Sequence, residues 1–365
     1  MNRKVSVGQN RRKVKTRRMV VIIVLLMLVL GGVGYGGYLV YKASSAVKNA
    51  EQTLGRGGKS DLRDSEVKPV ENHVSVLLMG VDESPSRAKE QGNAVHTDAL
   101  MLATFNTDDK TVKLVSIPRD MYTYIPISSK VDKITHAHSE GQVRKGKDGG
   151  PDATVNAVEG LLNIPVDYYL KFNFASFIDI VNELGGIEID VPADIVEQDS
   201  SGIANAIRLE KGIQTLNGEE ALALARTRHM DSDAMRGQRQ QLVLEAIVKK
   251  AASVGSVTEI GDIIDVIDGN FKTNLSLNDM MAFYKYGIGA SIEKLQIEGQ
   301  DAYIRNGSKK QAYSTYHEGT TYYYLPDKEN LDKITKELRI HLGLSERYSQ
   351  KYTQNNEVIK VTKTD

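Results

Sequence analysis

The chain has 365 residues, 41% of them hydrophobic, with 47 basic side chains balanced by 47 acidic ones and neither Cys nor Trp. That length supports a sizeable core, and the lack of cysteine excludes disulfide frameworks, thiol nucleophiles and Cys-ligated zinc or iron–sulfur centres. The balance conceals an asymmetry: the first 18 residues hold Arg3, Lys4, Arg11, Arg12, Lys13, Lys15, Arg17 and Arg18 and no acid, leaving 39 basic against 47 acidic side chains in the rest.

Residues 19–41 follow without a single charge. As a helix rising ~1.5 Å per residue, this run is about 35 Å long, enough to cross a hydrocarbon core of ~30 Å. A secretory signal peptide is the rival reading, but its apolar core is only ~7 to 15 residues long. The dense basic flank predicts a cytoplasmic arm at 1–18, a transmembrane helix at 19–41 and an extracellular remainder, hence a single-pass cell-membrane protein. Gly32 and Gly36 have the spacing through which two spans form a homodimer, although glycine is common in such helices. Contact with anionic membrane lipid explains the basic arm with fewer assumptions than nucleic acid does.

Residues 42–71 are polar and contain glycine, as expected of an extracellular stalk. Strand patterns begin at 73–80 and continue at 99–105 and 111–117, where Pro118 stops the last. Helical spacing marks 152–162 and 173–184, with further strands at 166–172 and 187–191. Asn217 and Glu220 have the spacing of a capping box opening a helix toward Arg226, and Asp233 is placed to cap a second helix reaching Lys250. A helix near 277–288, a strand pair around Ala302 and Tyr322, and an amphipathic helix carrying Leu331, Ile334 and Leu338 complete a folded unit at 72–343, before a polar tail at 344–365. The pattern is α/β, a mixed central sheet covered by helices.

Charge gathers where strands end, the place at which open α/β sheets hold ligands. Asp82 follows the first strand, Asp98 precedes the second, and Arg119 and Asp120 follow the third. Carboxylate oxygens suit Mg²⁺ or Mn²⁺, which take one or two protein carboxylates and leave other positions to water and phosphate. Either Asp alone reads more simply as a turn former. Residues 225–241 hold Arg226, Arg228, Arg236 and Arg239, interrupted by Asp231 and Asp233. A solvated face is the ordinary reading of such a run, yet Arg236, Arg239 and Gln240 stand at i, i+3 and i+4 in the first turns of a helix, where anions are favoured. Arg226 and Arg228 both join them only if the chain leaves helical geometry near His229. Arginine clamps phosphate in a bidentate manner, so the combination suggests a metal-bound pyrophosphate.

In order, Val81-Asp82, His96-Thr97-Asp98-Ala99-Leu100, Val115-Ser116-Ile117-Pro118-Arg119-Asp120, Lys133-Ile134-Thr135-His136-Ala137, the run 216–222 and the run 225–240 closely resemble the LytR-CpsA-Psr family. The motif core covers 72–250, and several motifs in order make the signal specific. The resemblance implies an LCP-type domain that moves an undecaprenyl-pyrophosphate-linked glycopolymer (teichoic acid, capsule or another wall polysaccharide) onto peptidoglycan, with release of polyprenyl phosphate. It implies Asp82 and Asp98 as ligands of Mg²⁺ or Mn²⁺, and Arg119, Arg226, Arg228, Arg236 and Gln240, with Arg239 beside them, around the pyrophosphate. A lipid tail would lie in an apolar tunnel between sheet and helices.

Arg119 takes part in the expected catalysis, and Asp120 and Asp233 are the candidates for the base, each with the equal alternative of orienting an arginine. One departure is His96, where the family often has Arg two residues before the second Asp; a neutral His supplies less charge. His136, His138 and His229 read as structural or surface residues and not as catalytic ones. The runs 139–151 and 194–212 read as polar, Gly-containing loops that set polymer specificity. Three competing readings share the sequence: a non-catalytic lipid-pyrophosphate sensor, a transcription attenuator, which needs DNA binding that an acidic exported domain disfavours, and pyrophosphate hydrolysis at the same site. A reporter fused to the C-terminus is expected to read as exported; a cytoplasmic signal would revive the attenuator.

Overall fold

The structure, a computed structural model, describes residues 38–69, 71–83, 95–227, 233–253, 271–287, 289–305, 312–345 and 361–362. The basic arm and nearly all of the expected span lie outside them, and among the described residues no helix is long and apolar enough to cross a membrane.

Strands β1 (Val74–Val81), β2 (Thr97–Asn106) and β3 (Thr111–Ser116) form a meander. The hairpin of β4 (Tyr122–Ile125) and β5 (Lys130–Lys133) follows, then helices α1 (His136–Lys145) and α2 (Gly149–Leu162) and strand β6 (Tyr168–Asn173). Next come α3 (Phe174–Glu183), β7 (Ile187–Val191), β8 (Ile195–Glu197), β9 (Ile207–Leu209), β10 (Gly212–Leu216), α4 (Gly218–Arg226) and α5 (Asp233–Ser253). The described C-terminal part contains β11 (Phe271–Thr273), α6 (Leu277–Gly287), β12 (Ser291–Gln296), β13 (Gly299–Arg305), β14 (Ala312–Tyr313), β15 (Thr320–Pro326), α7 (Lys328–His341) and β16 (Val361–Thr362).

The central sheet has the order β11-β6-β1-β2-β3-β12. It is mixed, as expected: β6 runs parallel to β1 and β12 parallel to β3, while the other neighbours are antiparallel. Its two faces follow the period-2 alternation of the strands. Leu77, Met79, Leu100, Leu102 and Val115 face one side and pack on Val155, Val158, Leu161 and Leu162 of α2 and on Ile334 and Leu338 of α7. Each such buried side chain contributes ~1.5 to 3 kcal/mol. Met101, Ala103, Val112 and Leu114 face the other side, where Leu244 of α5 meets them. A second cluster joins α3, α4, β7, β10 and α5 through Val181, Ile189, Leu216, Leu224 and Val243. Helix α5 therefore touches both layers, with Leu244 on the sheet and Val243 on the outer cluster.

Two expectations change. Residues 42–71 are not a free stalk in the structure: 38–50 are helical, with Ala43, Ala46, Val47 and Ala50 buried. The chain is then tied to the domain by polar contacts that a composition reading takes for solvated ones. Gln52 N–H donates to the Thr273 carbonyl at 2.7 Å, Ser60 Oγ to Glu159 at 2.7 Å, and the Arg63 guanidinium grips the Asp167 carboxylate through two contacts of 2.9 and 2.6 Å. The run 139–151, read as a loop, is largely helical in α1 and α2. Its glycines serve close packing: a Cβ on Gly141 would sit 2.2 Å from the Gly149 carbonyl oxygen, so only glycine lets the two helices cross there. Beyond 344, the polar tail contributes β16, which pairs with β14.

Gly141→Ala is expected to lower unfolding stability by about 2 kcal/mol in chemical denaturation. An unchanged midpoint would show that α1 and α2 do not cross this closely.

Candidate functional site

A cavity of about 480 Å³ lies between the second face of the central sheet and helices α3, α4 and α5. Much of its lining is apolar, with Phe172, Phe177, Val243, Ile247 and Phe271. Its polar lining comprises Asp98, Arg119, Arg226, Arg236 and Gln240, with Glu197 and Gln198.

Asp98 reaches the cavity because of a bulge. Gly80 pairs with Ala99 and Val81 with Thr97, so Asp98 is the extra residue of β2. Strict alternation would put Asp98 on the core face with Leu100 and Leu102; the bulge turns it onto the cavity side with Ala99 and Met101. Arg119 arrives from the end of β3, just past Pro118, and its Nη1 pairs with Asp98 Oδ1. Arg119 Nε also lies 3.4 Å from Asp120 Oδ2, and Lys133 Nζ lies 2.7 Å from Asp120 Oδ1. Asp120 is only 4% exposed. Burial would push its carboxyl up, but the Lys133 hydrogen bond and the charges of Arg119, Lys133 and Arg236 hold it below the usual carboxylate range. With Arg119 at one oxygen, Lys133 at the other and no cavity surface, Asp120 is placed to orient Arg119, the second of the two roles its position allows.

Helix α5 brings the other cations. A Cβ on Gly237 would meet Ser116 Oγ at 2.6 Å, and the Gln241 side-chain amide donates to the carbonyls of Leu114 and Leu295 at 3.1 and 3.0 Å. The helix thus presses its first turns onto the ends of β3 and β12, and Arg236 and Gln240, one turn apart, line the cavity. Arg239 does not: it is buried and its Nη2 donates to the Thr227 carbonyl at 2.7 Å, because three residues beyond Arg236 it falls on the flank facing the end of α4. It fixes the connection between the helices instead of facing a ligand. Arg226 closes α4 and stacks over the Phe174 ring at 5.3 Å. The capping box of Asn217 and Glu220 opens that helix as expected, and Thr227, with ψ of 139°, ends it.

Asp82 is half-buried, one residue beyond Val81, whose register partner is Thr97, but it does not line the cavity. Arg228, His229 and Asp231 lie outside the described residues, as does the side chain of Asp233. Half-buried His96 sits with its ring 5.2 Å from that of His136, which pairs with Asp132 at 2.9 Å. His138 is buried against the Val95 carbonyl, and burial pushes it down to about 4, a neutral structural histidine as expected. The sequence reading passed over Lys133 as a site residue and over Glu197 and Gln198 at the cavity wall, since only the folding of the run 194–212 into the hairpin β8–β9 brings the latter there.

Among the described residues no group of three or more His, Asp or Glu side chains is arranged to hold a metal. Asp98 on β2 and Asp82, one residue beyond β1, offer carboxylate oxygens alone. Carboxylate oxygens are the donor type that suits Mg²⁺ or Mn²⁺ completed by phosphate, and two of them do not make an all-protein cage.

The cavity, in an α/β protein, joins a largely apolar lining to three arginines, a surface that suits an amphiphile with an anionic head. The chain belongs to the LytR_cpsA_psr family, whose profile matches residues 37–340. It is 38% identical over 338 residues to the polyisoprenyl-teichoic acid–peptidoglycan teichoic acid transferase TagT of Bacillus subtilis strain 168, covering 92% of this chain and 98% of that one. The solved structure of TagT bound to LIIa-WTA is similar at a TM-score of 0.65 and 38% identity, over 80% of this chain and 100% of that one. TagT with bound octaprenyl pyrophosphate lipid is similar at a TM-score of 0.61 and 36% identity, over the same shares.

The depressed Asp120 gives a pH prediction. A carboxylate whose folded value lies below its unfolded one adds stability above the unfolded value, and that stability is lost as pH falls through the folded value. Asp120→Asn is expected to cost ~3 kcal/mol at neutral pH. The gap to wild type should close below about pH 4 in denaturation curves; a pH-independent gap would contradict the ion-paired state.

Proposed function

We propose that this protein is a membrane-anchored phosphotransferase that moves a polyprenyl-pyrophosphate-linked wall glycopolymer onto peptidoglycan. The observation that carries the reading is the apolar cavity ending at Arg119, Arg226 and Arg236. The likeness to TagT, solved with octaprenyl pyrophosphate lipid, supports it.

The isoprenoid tail lies along Phe172, Phe177, Val243 and Ile247, and the pyrophosphate lies at the arginines. A low-dielectric wall strengthens each charge contact there. An acceptor hydroxyl oxygen attacks the phosphorus bonded to the polymer sugar. The new O–P bond completes a phosphodiester, the bond from that phosphorus to the bridging oxygen breaks, and polyprenyl phosphate leaves with the electron pair. Arg119, Arg226, Arg236 and the Gln240 amide stabilise charge on the transferring and leaving oxygens, and Arg228 is the further cation we place with them. Asp233, at the start of α5, is our candidate for the carboxylate that takes the hydroxyl proton. Asp82 and Asp98 would hold Mg²⁺ or Mn²⁺, which when bound neutralises phosphate charge and polarises the phosphoryl oxygens.

The test is incubation of the full-length protein with a polyprenyl-pyrophosphate-linked saccharide, peptidoglycan glycan and Mg²⁺ or Mn²⁺, with mass spectrometry of the product. Asp82→Asn and Asp98→Asn are each expected to abolish metal-dependent transfer. Arg236→Ala should cost about 100-fold or more, whereas Arg144→Ala, on the outer face of α1 against Glu140, should cost nothing. Lipid retained without product, with a confirmed acceptor, would instead identify a binding or sensing module.

A further inference from the structure

The small sheet beside the site, with the order β15-β13-β14-β16, carries a row of tyrosines. Register pairs Tyr303 of β13 with Tyr313 of β14 and with Tyr322 of β15. Three half-buried phenol rings therefore stand on one face across adjacent strands, spanning about 10 Å at the usual strand separation. Tyr303 and Tyr322 meet at 5.6 Å between centroids. Tyr316, 67% exposed, adds a fourth ring, edge-on to Tyr303 at 6.0 Å. The opposite face of the same strands carries Ala302, Ile304 and Ala312, all buried, so the aromatic row is the more exposed side.

The rim of the row is polar. Tyr322 Oη donates to Asp301 at 2.8 Å, Arg305 lies 5.9 Å from the Tyr313 centroid, and Lys133 Nζ lies 5.6 Å from that of Tyr322. Flat rings with hydrogen-bonding groups at their edges suit a pyranose, whose C–H face packs on the ring and whose hydroxyls meet the rim. A purely apolar partner would leave Asp301 and Arg305 to be desolvated without compensation.

Lys133 also connects this face to the reacting centre. Its Nζ is 2.7 Å from Asp120, the carboxylate that holds Arg119, and the backbone of Tyr324 on β15 donates to the Asp120 carbonyl at 2.9 Å. The aromatic row thus begins two side chains, Asp120 and Lys133, away from the guanidinium, and none of its tyrosines lines the apolar cavity that takes the donor's tail. An acceptor has to enter from a direction the donor lipid leaves open. We propose that the Tyr313–Tyr303–Tyr322 row, with Tyr316, is the acceptor platform, binding a β-linked amino-sugar chain so that one of its hydroxyls reaches the phosphorus at Arg119. The proposal rests on the phosphotransferase reading for the acceptor's role, but its binding chemistry is measurable without turnover.

The probe is a soluble GlcNAc–MurNAc tetrasaccharide titrated into the full-length protein in detergent micelles, read by calorimetry. Tyr316→Ala and Tyr303→Ala are each expected to weaken binding about tenfold, while Tyr316→Phe and Tyr303→Phe, which keep the ring, stay near wild type. Tyr316 is exposed, so its variant reports even if Tyr303→Ala fails to fold. Saturable binding that is equal in wild type and both alanine variants, or no binding by wild type, would overturn the platform. Ring-dependent binding by a wild-type protein that transfers nothing from the lipid donor would leave the platform standing and sink the phosphotransferase reading.

Discussion

Everything at the site hangs on the ion pair between Arg119 and Asp98, and on Asp120 and Lys133 behind it. A guanidinium at the edge of an apolar cavity is stable only if its charge is matched, because a buried ion without a partner costs several kcal/mol. Asp98 matches it from one side and Asp120 from the other. Lys133 then neutralises the second oxygen of Asp120. The chain of alternating charges holds Arg119 in one orientation without consuming all of its donors, which is the condition for an arginine to meet a phosphate with little reorganisation.

The backbone makes this arrangement necessary. The bulge at Asp98 moves a carboxylate off the core face, where it would lie among Leu100 and Leu102. Pro118 ends β3 and delivers Arg119 to the same sheet end. Helix α5 completes the site because it is held on both sides: Gly237 and Gln241 against the sheet, Val243 in the outer cluster. A helix fixed in two cores presents Arg236 and Gln240 with a precision that a loop cannot offer.

The same helix shows how one cluster of arginines divides by geometry. Arg236 faces the cavity, Arg239 satisfies the carbonyl at the end of α4, and Arg226 lies on an aromatic ring. Three identical side chains take three settings: one on the cavity wall, one fixing a connection, and one on the cavity wall over an aromatic ring. The polar N-terminal segment repeats the lesson, since Arg63 and Ser60 are polar in composition yet buried and paired in the fold. Polarity in a sequence reports what a side chain is able to pair with, not whether it meets water.

Much of the fold was legible because its signals are local. The strands β1 to β3 are short apolar runs, α4 carries its capping box, and the period-2 and 3.6 patterns of β7 and α7 lie in contiguous residues. Asp98, Arg119, Arg226, Arg236 and Gln240 were marked in the sequence by the ordered motifs of the family resemblance, and they line one cavity. The separation of Arg239 from Arg236, the pairing of Asp120 with Lys133, the packing glycines of α1 and α2, and the place of Lys133 between the site and the tyrosine row were not. Each depends on contacts between segments far apart in the chain, and no pattern within a window records them. The order of residues determined which elements form and which side chains have the chemistry; only tertiary packing decided which of those side chains face the cavity, because facing is set by the neighbour that a helix or strand is pressed against.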